Sequence, residues 1–214
     1  MSTATADSTG TAADFIPPQP TLPRLRAASK GCRGCHLWKV GTQTVFGEGP
    51  ADATVVIVGE QPGDKEDLEG RPFVGPAGKL LHAALDDAGI DREKVYLTNA
   101  VKHFKWERGP GKRRIHKKPN DTEIRACHPW LEAELSVLHP HVVVLLGATA
   151  AQALLGKAFR VTQSRGKVLH PWGGDEPLVV ATVHPSSVLR SPAGDREANE
   201  KAFRRDISKI AKYV

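Results

Sequence analysis

Long apolar runs are absent from this chain of 214 residues. None approaches the roughly 20 residues that a membrane-spanning helix needs, so no membrane association is expected. The N-terminus has no basic stretch followed by an apolar core, and no secretory signal is expected there. Cysteine is scarce and odd in number: Cys32, Cys35 and Cys127. Three thiols do not make the disulfide framework of a secreted domain, and the count fits a cytoplasmic setting. They leave a metal site or free thiols. Residues 1–22 hold few large apolar side chains and are rich in Ser, Thr, Ala and Pro. That composition predicts a flexible tail over 1–22 and one domain over 23–214. No internal repeat is visible.

Acidic charge is in deficit, and the deficit is local. The net charge is +6. Residues 102–118 hold eight Lys/Arg against one Glu, which matches the whole excess. Focused positive charge suits a polyanion, and a solvated charged loop is the plain alternative. At its centre lies GPGKRRIHKK, residues 109–118. Read as a loop, it offers Lys112, Arg113, Arg114, Lys117 and Lys118 to phosphates. Taken alone, His116 in their midst reads as one more phosphate contact.

Four β-branched apolar runs predict strands: TVVIVG at 54–59, VYLTN at 95–99, HVVVLLG at 141–147 and LVVATVH at 178–184. Helical spacing falls between and after them, over 77–89, 121–138 with Asp121 as N-cap, 149–156 and 195–214. Strands alternating with helices predict an α/β fold, a three-layer α/β/α sandwich around a mostly parallel four-stranded sheet. Ligands of such sheets bind at the carboxyl ends of the strands. That rule points to GEQPGD, TNAVKH, LGATA and VHPSS.

CRGC, residues 32–35, has the spacing that lets two thiolates reach one metal. Cys127 supplies a third. With a histidine as fourth ligand, both a zinc site and an iron–sulfur cluster stay open. The segment 59–78 is too rich in Gly, Pro and polar residues to predict regular structure. It brings Glu60, Gln61 and Asp64 beside a strand end, with Phe73 either in the core or stacked on a planar ligand. His184 ends a strand, where a histidine is either hydrogen-bonded filler or an active group.

The succession GE-x-PG-x3-D, G-x-PFVG-x-AG, TNAVK, VVVLLG and HPS, over roughly residues 25–210, resembles the uracil-DNA glycosylase superfamily. It is most similar to the iron–sulfur branch of families 4 and 5. Family 4 reads approximately VVKCRPP after TN. This chain reads AVKHF, so His103 stands where the family has a cluster cysteine, and Cys127 matches the final one. The resemblance implies a [4Fe–4S] cluster on Cys32, Cys35, His103 and Cys127. Gln61 replaces the alanine of GEAPG, and the longer stretch between 103 and 127 contains KRRIH. Both features resemble the UdgX branch, whose members excise uracil from single-stranded DNA and stay covalently attached.

The resemblance thus implies that His116 attaches to C1′ of the sugar, with Glu60 holding its other ring nitrogen. His184 donates to a uracil carbonyl, Asn99 reads the base edge and Phe73 stacks on the base. Gln61 and Asp64 complete the catalytic loop, and Ser186 joins the basic residues on DNA. The implied partners are uracil-containing single-stranded DNA and free uracil as product. The implied protein is a bacterial cytoplasmic monomer, associated with the nucleoid when bound to DNA. A turnover glycosylase of family 4 and an iron–sulfur nucleic-acid binding module without chemistry are the competing readings.

Overall fold

A computed structural model describes residues 10–173 and 177–214. Its strands are β1 (Val55–Gly59), β2 (Val95–Asn99), β3 (Trp106–Arg108), β4 (Arg114–His116), β5 (Val142–Leu146), β6 (Val168–Leu169) and β7 (Leu178–Thr182). Its helices are α1 (Leu22–Ser29), α2 (Asp64–Glu69), α3 (Pro76–Asp87), α4 (Asp121–Leu138), α5 (Gly147–Leu155), α6 (Val161–Ser164), α7 (Pro185–Leu189) and α8 (Ala193–Ser208). Among the described residues no helix is long and apolar enough to cross a membrane.

The main sheet runs β2-β1-β5-β7-β6. Four of its strands are parallel, and β6 pairs antiparallel with β7 at the edge. The sheet therefore has five strands rather than four. Alternate residues of each strand feed opposite faces. Val55, Ile57, Val144 and Val180 pack with Leu81 and Leu85 of α3, Val188 of α7 and Phe203 and Ile207 of α8. Val56, Val58, Val143, Leu145 and Val179 pack with Leu131 of α4 and Ala150 and Ala151 of α5. Helices on both faces make the three-layer sandwich. Between β1 and β5 the chain order reverses, and the loops after these strands part there and open a crevice.

Part of the expected tail is docked on the domain. Residues 1–9 lie outside the described residues, whereas 10–22 are docked. Thr11 and Asp14 form a capping box around a 3-10 turn at Ala12–Phe15. Ala12 is fully buried beside Leu25, Cys32 and Trp130. Two local expectations also change. Asn120, not Asp121, caps α4, its side chain accepting from the Glu123 amide while Glu123 accepts from the Asn120 amide. The 59–78 segment contains α2, with acids in its first turn and Gly70 ending it at φ 72°.

GPGKRRIHKK is not a free loop. β3 and β4 form an antiparallel hairpin that pairs Trp106 with His116 and Arg108 with Arg114. Only its turn, from Gly109 to Arg113, is irregular.

Candidate active site

A cavity of about 700 Å³ opens at the crevice. Glu60 and Gln61 line it from the loop after β1, Asn99 from the end of β2, and Thr149 from the start of α5. His184 and Ser186 line it from the loop after β7 and from α7, and His116 from the hairpin. Phe73 lies on the wall with its backbone at φ 56°, a left-handed conformation rare outside glycine. A side chain at Gly59 would collide with both the Asn99 amide and the Phe73 ring. Glycine at the end of β1 therefore lets amide and ring meet.

Asn99 is 3% exposed, and its side-chain amide has no hydrogen-bond partner among the described residues. It is fixed through its backbone instead. Lys102 Nζ donates to the Asn99 carbonyl at 2.7 Å, to Thr98 Oγ1 at 2.7 Å and to Glu134 Oε2 at 2.5 Å. Lys102 and Glu134 are fully buried, and the ammonium has all three protons placed.

His184 caps α7. Its Nδ1 accepts from the Ser186 amide at 3.2 Å and lies 2.8 Å from Ser186 Oγ. An Nδ1 that accepts leaves the proton on Nε2, so the neutral ring presents an Nε2–H donor. Burial above all, then Arg190 and His116, holds the His184 pKa down at about 4. The Phe73 ring lies at 25° to this imidazole, with centroids 6.4 Å apart. Ser186, expected on DNA, is thus the residue that sets the His184 tautomer.

His116 Nε2 is 3.5 Å from Glu60 Oε1, and Thr149 Oγ1 donates to Glu60 Oε2. Glu60 and His116 thus lie side by side in the pocket. Burial lowers the His116 pKa despite Glu60, and Arg190 pushes the same way. Arg190 and Thr149 are the site residues that sequence reasoning missed. Both sat within or beside strand-end loops already singled out, LGATA and VHPSSVLR.

The basic residues divide by environment. Arg114 is taken: Nε meets Asp64 Oδ1 at 2.5 Å, and Nη1 meets Asp67 Oδ2 at 2.6 Å and Thr42 Oγ1 at 3.0 Å. It is a clamp, not a phosphate contact, and Asp64 is its partner rather than a free acid. Gln61 is committed as well. Its amide donates to the carbonyls of Lys105 (3.2 Å) and Lys117 (3.0 Å) and accepts from the Lys105 amide. Gln61 therefore ties both hairpin strands to β1, and its side chain is not available to a ligand. Lys117 pairs with Glu107 at 2.8 Å, while Lys112, Arg113 and Lys118 are exposed. Replacing Arg114 by Met is expected to lower stability by about 3 kcal/mol, because fully buried Asp67 loses its cation. Urea unfolding measures it, and an unchanged midpoint would refute the clamp.

The three thiols share one apolar cluster with Trp130. Trp130 Nε1 donates to Cys32 Sγ at 3.3 Å, and the Lys102 amide donates to Cys127 Sγ at 3.2 Å. His103 follows Lys102 directly, but its Nε2 lies 2.9 Å from Thr44 Oγ1. Among the described residues no three His, Cys, Asp or Glu side chains close on a common point as a metal site would require. The expected four-ligand set is thus neighbouring but not gathered.

A family model described as the uracil DNA glycosylase superfamily matches residues 46–208. The chain is 38% identical over 180 residues to a type-4 uracil-DNA glycosylase of Saccharolobus solfataricus, covering 81% of this chain and 79% of that one. It is 39% identical over 186 residues to the type-4 uracil-DNA glycosylase of Thermotoga maritima, covering 86% and 90%. A type-5 uracil-DNA glycosylase of Thermus thermophilus is 35% identical over 138 residues, 58% of each chain. With its doubly covered parallel sheet and its pocket at the strand ends, the chain belongs to the uracil DNA glycosylase superfamily.

Proposed function

We propose that this protein excises uracil from DNA. The observation that carries the reading is one pocket holding the Phe73 ring, an unpartnered Asn99 amide and a neutral His184 with its Nε2–H free. An amide offers one acceptor and one donor to the imide edge of uracil. Phe73 stacks on the base, which a single strand presents without unpairing. As the C1′–N1 bond breaks, its electron pair moves onto uracil, and the His184 donor stabilises the growing anion. Glu60, on the pocket wall, faces the positive charge that develops on the sugar. The exposed Lys112, Arg113 and Lys118 take the phosphates.

Two courses lead on from C1′. Similarity to proteins named type-4 uracil-DNA glycosylases supports attack by water, release of both products and turnover. The position of His116 favours capture instead. The lone pair of one ring nitrogen forms the bond to C1′ while the C1′–N1 pair leaves with uracil, and the proton of the other ring nitrogen passes to Glu60 or to water. The product is a neutral alkylated imidazole, which is a poor leaving group.

Incubation with a uracil-containing single-stranded oligonucleotide, followed by denaturing electrophoresis and mass analysis, separates the outcomes. Released uracil with free DNA supports turnover, and a shifted band that survives denaturant supports capture. Absence of uracil release would leave only a binding module and refute the proposal.

We also propose that Cys32, Cys35, His103 and Cys127 hold a [4Fe–4S] cluster. The support is three sulfurs in one apolar cluster, two of them accepting N–H hydrogen bonds, with His103 next in chain to one donor. Binding requires the His103 ring to leave Thr44. Such a group would cross-link the 32–35 turn, the loop after β2 and α4. Protein purified anaerobically is expected to be brown and to carry about four irons. Stoichiometric zinc without visible absorption would refute the assignment.

A further inference from the structure

Glu60 has two side-chain neighbours, and they divide its carboxylate. Oε1 faces His116 Nε2 at 3.5 Å, and Oε2 accepts from Thr149 Oγ1. The carboxylate has no other hydrogen-bond partner among the described residues. Thr149 is 2% exposed at the third residue of α5, held by the core packing of Ala150 and Ala151 beside it. The carboxylate itself is about a quarter exposed, and the torsion that turns it is broad and two-fold. Without a donor on Oε2, nothing in the structure holds Oε1 toward His116 and the position of C1′.

We infer that Thr149 is a positioning residue: its hydroxyl locks the Glu60 carboxylate so that one oxygen faces the reacting sugar carbon. The inference rests on the reading that Glu60 acts at C1′. It holds for either course from there, since water and His116 approach the same carbon. Thr149 touches neither base nor sugar in this role. A hydroxyl that merely satisfied local packing would be replaced without loss by the isosteric valine.

The test uses Thr149→Val, Thr149→Ser and each combined with Glu60→Gln. Uracil release and any denaturant-resistant band are followed in single turnover at saturating uracil-containing single-stranded DNA. Binding is measured separately with an oligonucleotide carrying a non-cleavable 2′-fluoro-deoxyuridine. Valine is expected to slow the step about ten- to a hundredfold, as befits one hydrogen bond to a charged acceptor, with binding unchanged within about twofold. Serine is expected to restore the rate within about threefold. In the Glu60→Gln background, valine is expected to add nothing further. Wild-type rates in Thr149→Val, or an equal loss in the Glu60→Gln background, would overturn the inference. Wild-type protein that releases no uracil would instead overturn the reading beneath it.

Discussion

Alanine at position 184 is expected to slow uracil release on the order of 10²- to 10³-fold, the cost of losing one preorganised donor to a developing anion. The structure gives the reason in atoms. Ser186 occupies Nδ1, so the neutral ring keeps its proton on Nε2, toward the pocket. Burial holds the ring neutral down to about pH 4. Acid inactivation above that pH is therefore not a titration of His184. The same depression has a stability consequence. The unfolded ring takes up its proton near pH 6.5, and the folded ring refuses it until about 4. His184 thus contributes stability that is complete above about 6.5 and is lost as the pH falls toward 4. Ser186→Ala is expected to lower the rate less than His184→Ala, because tautomer control is weakened while the donor survives. Single-turnover release assays at pH 7.5 measure both. A His184→Ala rate within threefold of wild type would show that the leaving anion is stabilised elsewhere.

Serine at position 116 is expected to abolish any denaturant-resistant protein–DNA band while uracil release continues. Phe73, Asn99 and His184 are untouched by the change, so binding and polarisation of the base persist. His116 is half exposed at the pocket mouth, and its removal admits water to the position from which the imidazole would attack. The hairpin survives, because Gln61 and Arg114 hold it independently of the imidazole. Peptide mapping after nuclease digestion of the wild-type band locates the linkage. A sugar remnant on another residue, or an undiminished band from His116→Ser, would exclude capture by this histidine. Wild-type protein that yields only free products would establish the hydrolytic course.

The four parallel strands were legible because each is a short β-branched run ending in a polar or glycine turn, buried on both faces. β6 was not, since two residues, Val168 and Leu169, carry no periodicity and pair only because β7 offers an edge. The hairpin was hidden for a related reason. Its strands are three residues each, and the basic run masks their alternation. α2 did leave a signal, an acidic first turn stopped by Gly70, which the surrounding Gly and Pro obscured. The pocket residues Asn99 and His184 could be read from their places at strand ends. The role of Arg114 could not, because a guanidinium looks the same in sequence whether it meets phosphate or carboxylate. Its carboxylates, Asp64 and Asp67, are some 50 residues away. The docked segment 10–22 was equally hidden, since Ala12 is buried against Leu25 of α1, Cys32 of the turn that follows it and Trp130 of α4, which only the fold brings together.

The hairpin is anchored along its length: Trp106 Nε1 donates to the Val40 carbonyl at 2.8 Å and Gln61 adds its hydrogen bonds at the base, while Arg114 clamps the strand beside the turn. Its tip is not anchored. Gly111 lies at φ 65° with open space where a side chain would begin, and the turn around it is closed by two backbone hydrogen bonds, from the Gly109 amide to the Arg113 carbonyl and from the Arg113 amide to the Pro110 carbonyl. Added chain at Gly111 would extend into solvent while position 116 keeps its place. The tip is thus where loop length is free to drift among descendants of this sequence. It is also where a fluorophore or affinity peptide can be carried at the end of the hairpin opposite the chemistry.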